Sequence, residues 1–114
     1  MGRIIGLGGV FIKARDPKAL AAWYEKHLKI SFKGTTYADL PFKDEDGKPG
    51  PGSNVLSFFS MNSEYYLPST SPVMLNLRVS GLIELLEELK NSGVVIVGEP
   101  MIESYGKFGR ILDG

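Results

Sequence analysis

Hydrophobic and polar positions repeat most regularly between residues 73 and 100. From Met74 to Val79 they alternate, and this period of two predicts a strand whose buried face carries Leu75, Leu77 and Val79. The leucines that follow recur at i, i+3, i+4 and i+7 and predict a helix: Leu82, Leu85, Leu86 and Leu89. Ser80 is expected to cap this helix, because its hydroxyl can accept from the free N–H groups of the first turn. Gly93 is expected to end this helix in a left-handed conformation, before a short strand at Val94–Val97.

The same strand–helix–strand order occurs once before in the chain, with Gly9 aligned on Met74. Gly9–Ala14 is predicted to be a strand, and Asp16-Pro17 to be an N-cap followed by a proline at the first helical position. The helix that follows has an apolar stripe and is followed by a predicted strand at Ile30–Lys33. The stripe consists of Leu20, Trp23, Tyr24 and His27 or Leu28, and we expect Trp23 and Tyr24 to be core residues.

The segments between the two copies predict further strands. Thr35–Phe42 is one candidate, weakened by Pro41, and Asn54–Met61 is another. Between them lies a loop at 43–53 that is rich in charge, glycine and proline, and it is either a hairpin tip or a lid. Near the C-terminus we expect a turn at 101–107 and a strand at 108–112. The chain is thus one domain: module one at 4–62, a bridge at 63–72 that contains Tyr65-Tyr66, and module two at 73–114.

Composition excludes several classes of function. The 114 residues include 13 basic and 13 acidic ones, so there is no basic excess of the kind that nucleic acids and anionic membranes attract. There is no cysteine, so disulfides and thiolate metal sites are excluded. No apolar run approaches the roughly 20 residues of a membrane span, and the N-terminus lacks the pattern of a secretion signal. We therefore expect a cytoplasmic protein with no nucleic-acid or membrane partner.

Three segments carry a resemblance to a known family: GGVFIKARDPKALAAWYEKHL at 8–28, MLNLRVSGLIELLEELKNSGV at 74–94 and GKFGRILDG at 106–114. With the repeated plan, they resemble the vicinal-oxygen-chelate superfamily, also called the glyoxalase / bleomycin resistance protein / dioxygenase superfamily. The chain looks closest to uncharacterised, metal-free glyoxalase-like proteins. The resemblance implies an α+β fold of two βαβββ modules forming a half-open barrel, frequently completed as a homodimer. It also implies a last strand that residues 1–114 lack, so we expect either a longer natural chain or a partner chain that supplies the pairing.

Metal-dependent members of the superfamily hold a divalent ion with His, Gln or Glu on the first and last strands of each module. The corresponding positions here fall on Gly9, on Met74, on the 54–61 strand without Asp, Glu or His, and on the missing last strand. Oxygen and nitrogen donors are what such ions require. We therefore expect no metal and no cofactor.

The candidate ligand site follows from the two copies. In each, the helix can cover only one face of its strand, so Phe11, Lys13, Asn76 and Arg78 are expected to line the concave face. Two cations facing each other suggest an anionic or carbonyl-bearing ligand, with Arg78 as a bidentate clamp. Aromatic walls are expected from Phe11, Phe59, Tyr105 and Phe108. The alternative is that Lys13 and Arg78 lie at the rim, paired with Glu103 or solvent, and that the rings fill the barrel.

Other candidate residues favour ordinary roles. His27, the only histidine, is expected to be a surface or packing residue near a helix end, and the acidic run at 44–46 to be a solvated loop. The sequence assigns no catalytic residue. We expect a small-molecule binding protein for an anionic or aromatic ligand. The alternatives are an enzyme of the superfamily (a lactoylglutathione lyase-like lyase, an isomerase or a dioxygenase) and a fold kept only for dimer association.

Overall fold

A computed structural model describes residues 2–104 and 106–113 of the chain. The secondary structure follows the order β1 (Arg3–Ala14), α1 (Pro17–Leu28), β2 (Tyr37–Lys43), β3 (Pro49–Ser60), β4 (Val73–Ser80), α2 (Leu82–Asn91), β5 (Met101–Glu103) and β6 (Gly106–Phe108). The chain divides into two compact units, residues 7–77 and residues 1–6 with 78–114. Both units contain a helix and strands, so the observed fold class is α+β, as predicted.

The larger unit, residues 7–77, is built on a sheet with the strand order β2-β3-β1-β4. β1 and β3 pair in parallel, with Phe11 opposite Ser57 and Lys13 opposite Phe59. β2 returns antiparallel to β3 as a hairpin and forms one end of the sheet. Pro41 therefore lies on an edge strand, where its missing N–H leaves no inner ladder bond unmade.

One face of this sheet packs against α1. The buried residues Ala21, Phe32, Ala38 and Phe58 form its core. Phe32 and Phe58 stack with ring centroids 5.5 Å apart, and six partly buried residues surround them: Ile12, Leu20, Tyr24, Ile30, Leu40 and Leu56. The N-cap prediction for α1 is confirmed, because Asp16 Oδ1 accepts from the Ala19 N–H at 3.0 Å.

Two predictions for this region are wrong. Trp23 is not a core residue: it is 52% exposed, and its ring lies 4.7 Å from that of the exposed His27. Ile30–Lys33 is not a strand. The Phe32 N–H donates instead to the Glu25 carboxylate at 2.6 Å, and the left-handed Lys33 (φ 51°) turns the chain towards β2. A side-chain acceptor on α1 thus replaces the expected ladder.

The predicted loop at 43–53 is the tip of the β2–β3 hairpin, although β3 begins within it at Pro49. Asp44 closes the tip, because its Oδ1 accepts from the N–H groups of Asp46 and Lys48, both at 2.9 Å. This carboxylate is therefore engaged with backbone N–H groups, which supports the interpretation of 44–46 as an ordinary turn.

The smaller unit holds α2 and the β5–β6 hairpin, and the Leu86 side chain is buried in it at 8% exposure. The leucine stripe of α2 is covered as predicted, and Gly93 is left-handed at φ 86°. The expected Ser80 cap is wrong, because the left-handed Gly81 occupies the N-cap and supplies no side-chain bond. The strands expected at 94–97 and 108–112 pair through a single bridge between Ile96 and Ile111. The turn expected at 101–107 is wrong, because its segment contains β5 and most of β6. No helix in the described residues is both long and apolar enough to span a membrane.

Candidate functional site

The candidate site of the larger unit is the face of β1 and β3 turned away from α1. Ile12 and its partner Phe58 pack towards α1, so the alternating residues Phe11, Lys13 and Phe59 belong to the opposite face. The rings of Phe11 and Phe59 lie 5.5 Å apart. The structure therefore brings together three of the residues that the sequence analysis selected.

Two tyrosines from the segment between β3 and β4 complete this face. The Tyr65 ring stacks on Phe59 at 5.6 Å, with 6° between the ring planes, and the Tyr66 ring meets Phe59 edge-on at 5.5 Å. Lys13 Nζ lies 4.8 Å from the centroid of the Tyr66 ring, a cation–π contact. We call Phe11, Lys13, Phe59, Tyr65 and Tyr66 the aromatic face. Sequence reasoning noticed the tyrosine pair but assigned it no role; its signal was two adjacent rings in a polar segment.

The charge on the aromatic face is not balanced locally. Lys13 is half-buried, and no carboxylate within the described ranges forms an ion pair with its ammonium. Exposed lysines normally keep this charge in water, whereas a partly buried one gains from an anionic partner. The arrangement can therefore bind an anion beside aromatic rings.

Tyr66 is the unusual group of the aromatic face. Its side chain is 2% exposed, and within the described residues its buried hydroxyl has no hydrogen-bond partner. Burial raises the pKa of Tyr66 to about 12 from 10.0, and the charge of Tyr65 adds to the rise. Between these two pH values the unfolded chain loses this proton more readily than the folded one, so folding stability falls as the pH rises through that range.

β4 adds Asn76 to the same side of the sheet. The Lys13 N–H donates to the Pro72 carbonyl at 2.8 Å at one end of β1, and Gly2 lies against Gly81 at the other. The two neighbouring strands therefore run antiparallel, and odd-numbered residues of β1 face even-numbered residues of β4. This places the half-buried Asn76 on the side of Phe11 and Lys13.

The predicted buried face of β4 is wrong in two positions. Leu75 is 59% exposed and Leu77 is 47% exposed. They lie on β4, at the edge of the sheet and two strands away from β3, on which α1 packs. The leucines of β4 thus keep the predicted alternation but are not buried as predicted.

The remaining predicted site residues are not part of the aromatic face as described. Arg78 is exposed on β4 and Phe108 is half-buried at the end of β6, both in the smaller unit. Tyr105 lies outside the described residues. Their proposed contact with ligand stays a prediction.

The residues present do not fit the metal of the metal-dependent superfamily members. At Gly9, a side chain has no room, because a Cβ there would lie 2.5 Å from the Val55 carbonyl oxygen. Met74 offers a thioether, and β3 has no Asp, Glu or His. The described parts of the chain hold no group of three His, Cys, Asp or Glu side chains that could bind an ion.

Comparison with known proteins finds solved structures with a similar fold, but no protein of closely similar sequence. No family model and no curated protein matches the chain. Two solved structures match over nearly its whole length, and both are variants of Streptomyces coelicolor methylmalonyl-CoA epimerase in complex with 2-nitronate-propionyl-CoA. One is 16% identical with a TM-score of 0.64, and covers 96% of this chain and 89% of the epimerase. The other is 17% identical with a TM-score of 0.60, and covers 95% and 89%.

At this identity the likeness concerns the fold. These two matches confirm the predicted glyoxalase-like α+β fold. The superfamily that the resemblance indicated stays a prediction.

Proposed function

We propose that this chain is a small-molecule binding protein whose aromatic face takes a ligand that joins an anionic group to a flat ring. The binding uses side chains of the chain and no metal centre. The observation that carries this proposal is the ammonium of the half-buried Lys13, which lies on an aromatic ring and has no ion-pair partner among the described carboxylates.

Typical interaction energies favour an anion over the Tyr66 ring as the partner of the Lys13 ammonium. A cation–π contact at a partly exposed site contributes about 0.5–1 kcal/mol. A hydrogen bond to a charged group contributes about 1.5–3 kcal/mol. A carboxylate therefore offers the Lys13 ammonium a stronger partner than the Tyr66 ring does.

The other residues of this side define the rest of the ligand. Phe11, Phe59 and Tyr65 are partly exposed rings, against which a flat ligand can stack. The amide of Asn76 can donate to and accept from a polar substituent. The match to an epimerase that binds a CoA derivative supports a ligand-binding use of this fold.

The test is isothermal titration calorimetry with benzoate, its neutral isostere benzamide and the non-aromatic cyclohexanecarboxylate. Benzoate is expected to bind most tightly. Lys13→Met keeps most of the side-chain length and removes the charge, and it is expected to weaken benzoate binding about tenfold or more. Lys18→Met, at an exposed position on α1, is the matched control and is expected to leave binding unchanged.

Two results would contradict this function. If benzamide equals benzoate in affinity, Lys13 does not recognise charge. Benzoate, benzamide and cyclohexanecarboxylate could also all fail to bind the wild-type chain, and the aromatic face would then not be a site for this class of molecule.

The second candidate function is an isomerase that moves a proton next to a thioester carbonyl. The fold match to methylmalonyl-CoA epimerase is the observation that favours it. Such an enzyme exchanges the α-proton of methylmalonyl-CoA with solvent. Deuterium incorporation from D₂O, with and without added divalent metal, therefore separates the two functions. Steady incorporation would show that the chain is an isomerase and not a binding protein.

We also propose that the chain forms a homodimer through β4. This strand ends the described sheet, and its Leu75 and Leu77 are exposed. An apolar edge strand is a template for pairing with another chain. Light scattering during size-exclusion chromatography is expected to give the dimer mass for wild type and the monomer mass for Leu75→Lys. Ile102→Lys, at a position 69% exposed on β5, is expected to stay dimeric. A monomeric wild type at micromolar concentration would refute the dimer.

A further inference from the structure

We propose that the Tyr66 hydroxyl is a ligand-recognising donor, which binds the anionic oxygen of an aromatic carboxylate together with the Lys13 ammonium. This inference rests on the proposed function and names a residue that the sequence analysis did not place in the site. It also narrows the ligand from any anion to an oxyanion that can accept two hydrogen bonds.

The first observation is the unsatisfied hydroxyl itself. Buried polar groups in native proteins nearly always have a partner, and an exception calls for an explanation such as a missing ligand. The Tyr66 hydroxyl is buried, and the residues in the described ranges offer it no acceptor. A phenylalanine would fill the same space without this cost, so the hydroxyl has a use outside the packing of the ligand-free chain.

The second observation is the neighbouring cation. Lys13 Nζ lies over the Tyr66 ring, 4.8 Å from its centroid, so the two groups that would bind one carboxylate are already adjacent. The phenol keeps its proton at neutral pH, since even its ordinary pKa of 10.0 lies well above that pH and burial raises the pKa further, so it can donate to an anion without repelling it.

Access to the hydroxyl requires a side chain to move. Lys13 lies over the ring face and has a flexible four-carbon stem, while Phe59 and Tyr65 meet the ring edge-on. An incoming carboxylate draws the ammonium away from the ring face, since a charged hydrogen bond is the stronger interaction. Binding through the hydroxyl requires that this movement also exposes it.

The test begins with Tyr66→Phe in the ligand-free chain. If the hydroxyl is unsatisfied, its removal is expected to raise the melting temperature by about 2–6 °C. Tyr37→Phe is the control, because the Tyr37 side chain is 57% exposed and the loss of its hydroxyl is expected to leave the melting temperature unchanged. Absorbance titration at alkaline pH is expected to lose the component near pH 12 in Tyr66→Phe alone. A lower melting temperature in Tyr66→Phe would show that the hydroxyl has a stabilising partner, and would overturn the inference.

Calorimetry with benzoate completes the test. Tyr66→Phe is expected to bind benzoate about tenfold to a hundredfold more weakly than wild type, while it binds benzamide with nearly unchanged affinity. A variant that gains thermal stability and loses affinity for the anion cannot be explained by a purely structural role. Unchanged benzoate affinity in Tyr66→Phe would reject the role of Tyr66 and leave the proposed function standing. Absence of benzoate binding in the wild type would instead reject the proposed function.

Discussion

Phe32→Ala is expected to destabilise the chain by about 3–5 kcal/mol. Phe32 is 2% exposed, and its ring stacks on Phe58 at 5.5 Å and meets Tyr24 at 6.5 Å. Removal of the ring leaves a cavity that neither the irregular backbone on one side nor α1 on the other can close. Since domains of this size are stable by about 5–15 kcal/mol, the loss is a large part of the total. Urea unfolding followed by circular dichroism measures it.

Phe42→Ala is the matched control for this prediction. Phe42 lies on the edge strand β2 and is 53% exposed, so its truncation creates no buried cavity. Its expected cost stays within about 0.5 kcal/mol, as for most surface substitutions. Equal costs for Phe32→Ala and Phe42→Ala would mean that the core is not centred on Phe32.

Gly9→Ala is expected to destabilise the chain by about 1–3 kcal/mol. In most strand positions this change is stabilising, by roughly 0.5–1 kcal/mol, because glycine loses more backbone entropy on folding. At Gly9 the new Cβ would lie 2.5 Å from the Val55 carbonyl oxygen, and this oxygen belongs to the backbone of β3 and cannot move freely. The steric term is therefore expected to decide the sign.

Gly50→Ala provides the comparison, because Gly50 also lies in a strand. A Cβ there meets nothing closer than the Phe42 carbonyl oxygen at 3.8 Å, an ordinary contact. Gly50→Ala is therefore expected to be neutral or slightly stabilising in the same urea titration. If Gly9→Ala were as stable as Gly50→Ala, β1 and β3 would not approach as closely as described.

The close approach at Gly9 also bears on function. The resemblance puts a metal ligand of the superfamily at this position, where the chain has no side chain and no space for one. A histidine introduced there would meet the same carbonyl as alanine does. The half-buried Lys13 beside the aromatic rings, and not a metal centre, is therefore the feature on which the proposed recognition rests.

Local patterns in the sequence predicted those elements whose causes are local. Asp16-Pro17 specified the start of α1 because a cap needs only the next three residues. The leucine stripe specified α2, and alternation specified β4, because both periods are properties of the backbone itself. The same period of two placed Phe11 and Lys13 of β1 on one side, once the helix was assigned to the other.

The errors concern contacts between distant parts of the chain. Ile30–Lys33 has the composition of a strand, but Glu25 on α1 takes the Phe32 N–H. Leu75 and Leu77 have the pattern of buried residues, but they lie exposed on β4 at the edge of the sheet. Tyr66 looked like part of a polar linker, and only the fold shows it buried beneath Lys13. None of these contacts has a signature within a short stretch of sequence.

Chemical-shift mapping with benzoate tests the central claim most directly, because it reports where the ligand binds as well as whether it binds. In ¹⁵N-labelled protein, the largest shifts are expected at the backbone amides of Phe11, Lys13, Phe59 and Tyr66, and Lys13→Met is expected to remove them. Shifts confined to α1 and the opposite face of the sheet, or shifts that persist unchanged in Lys13→Met, would contradict the account.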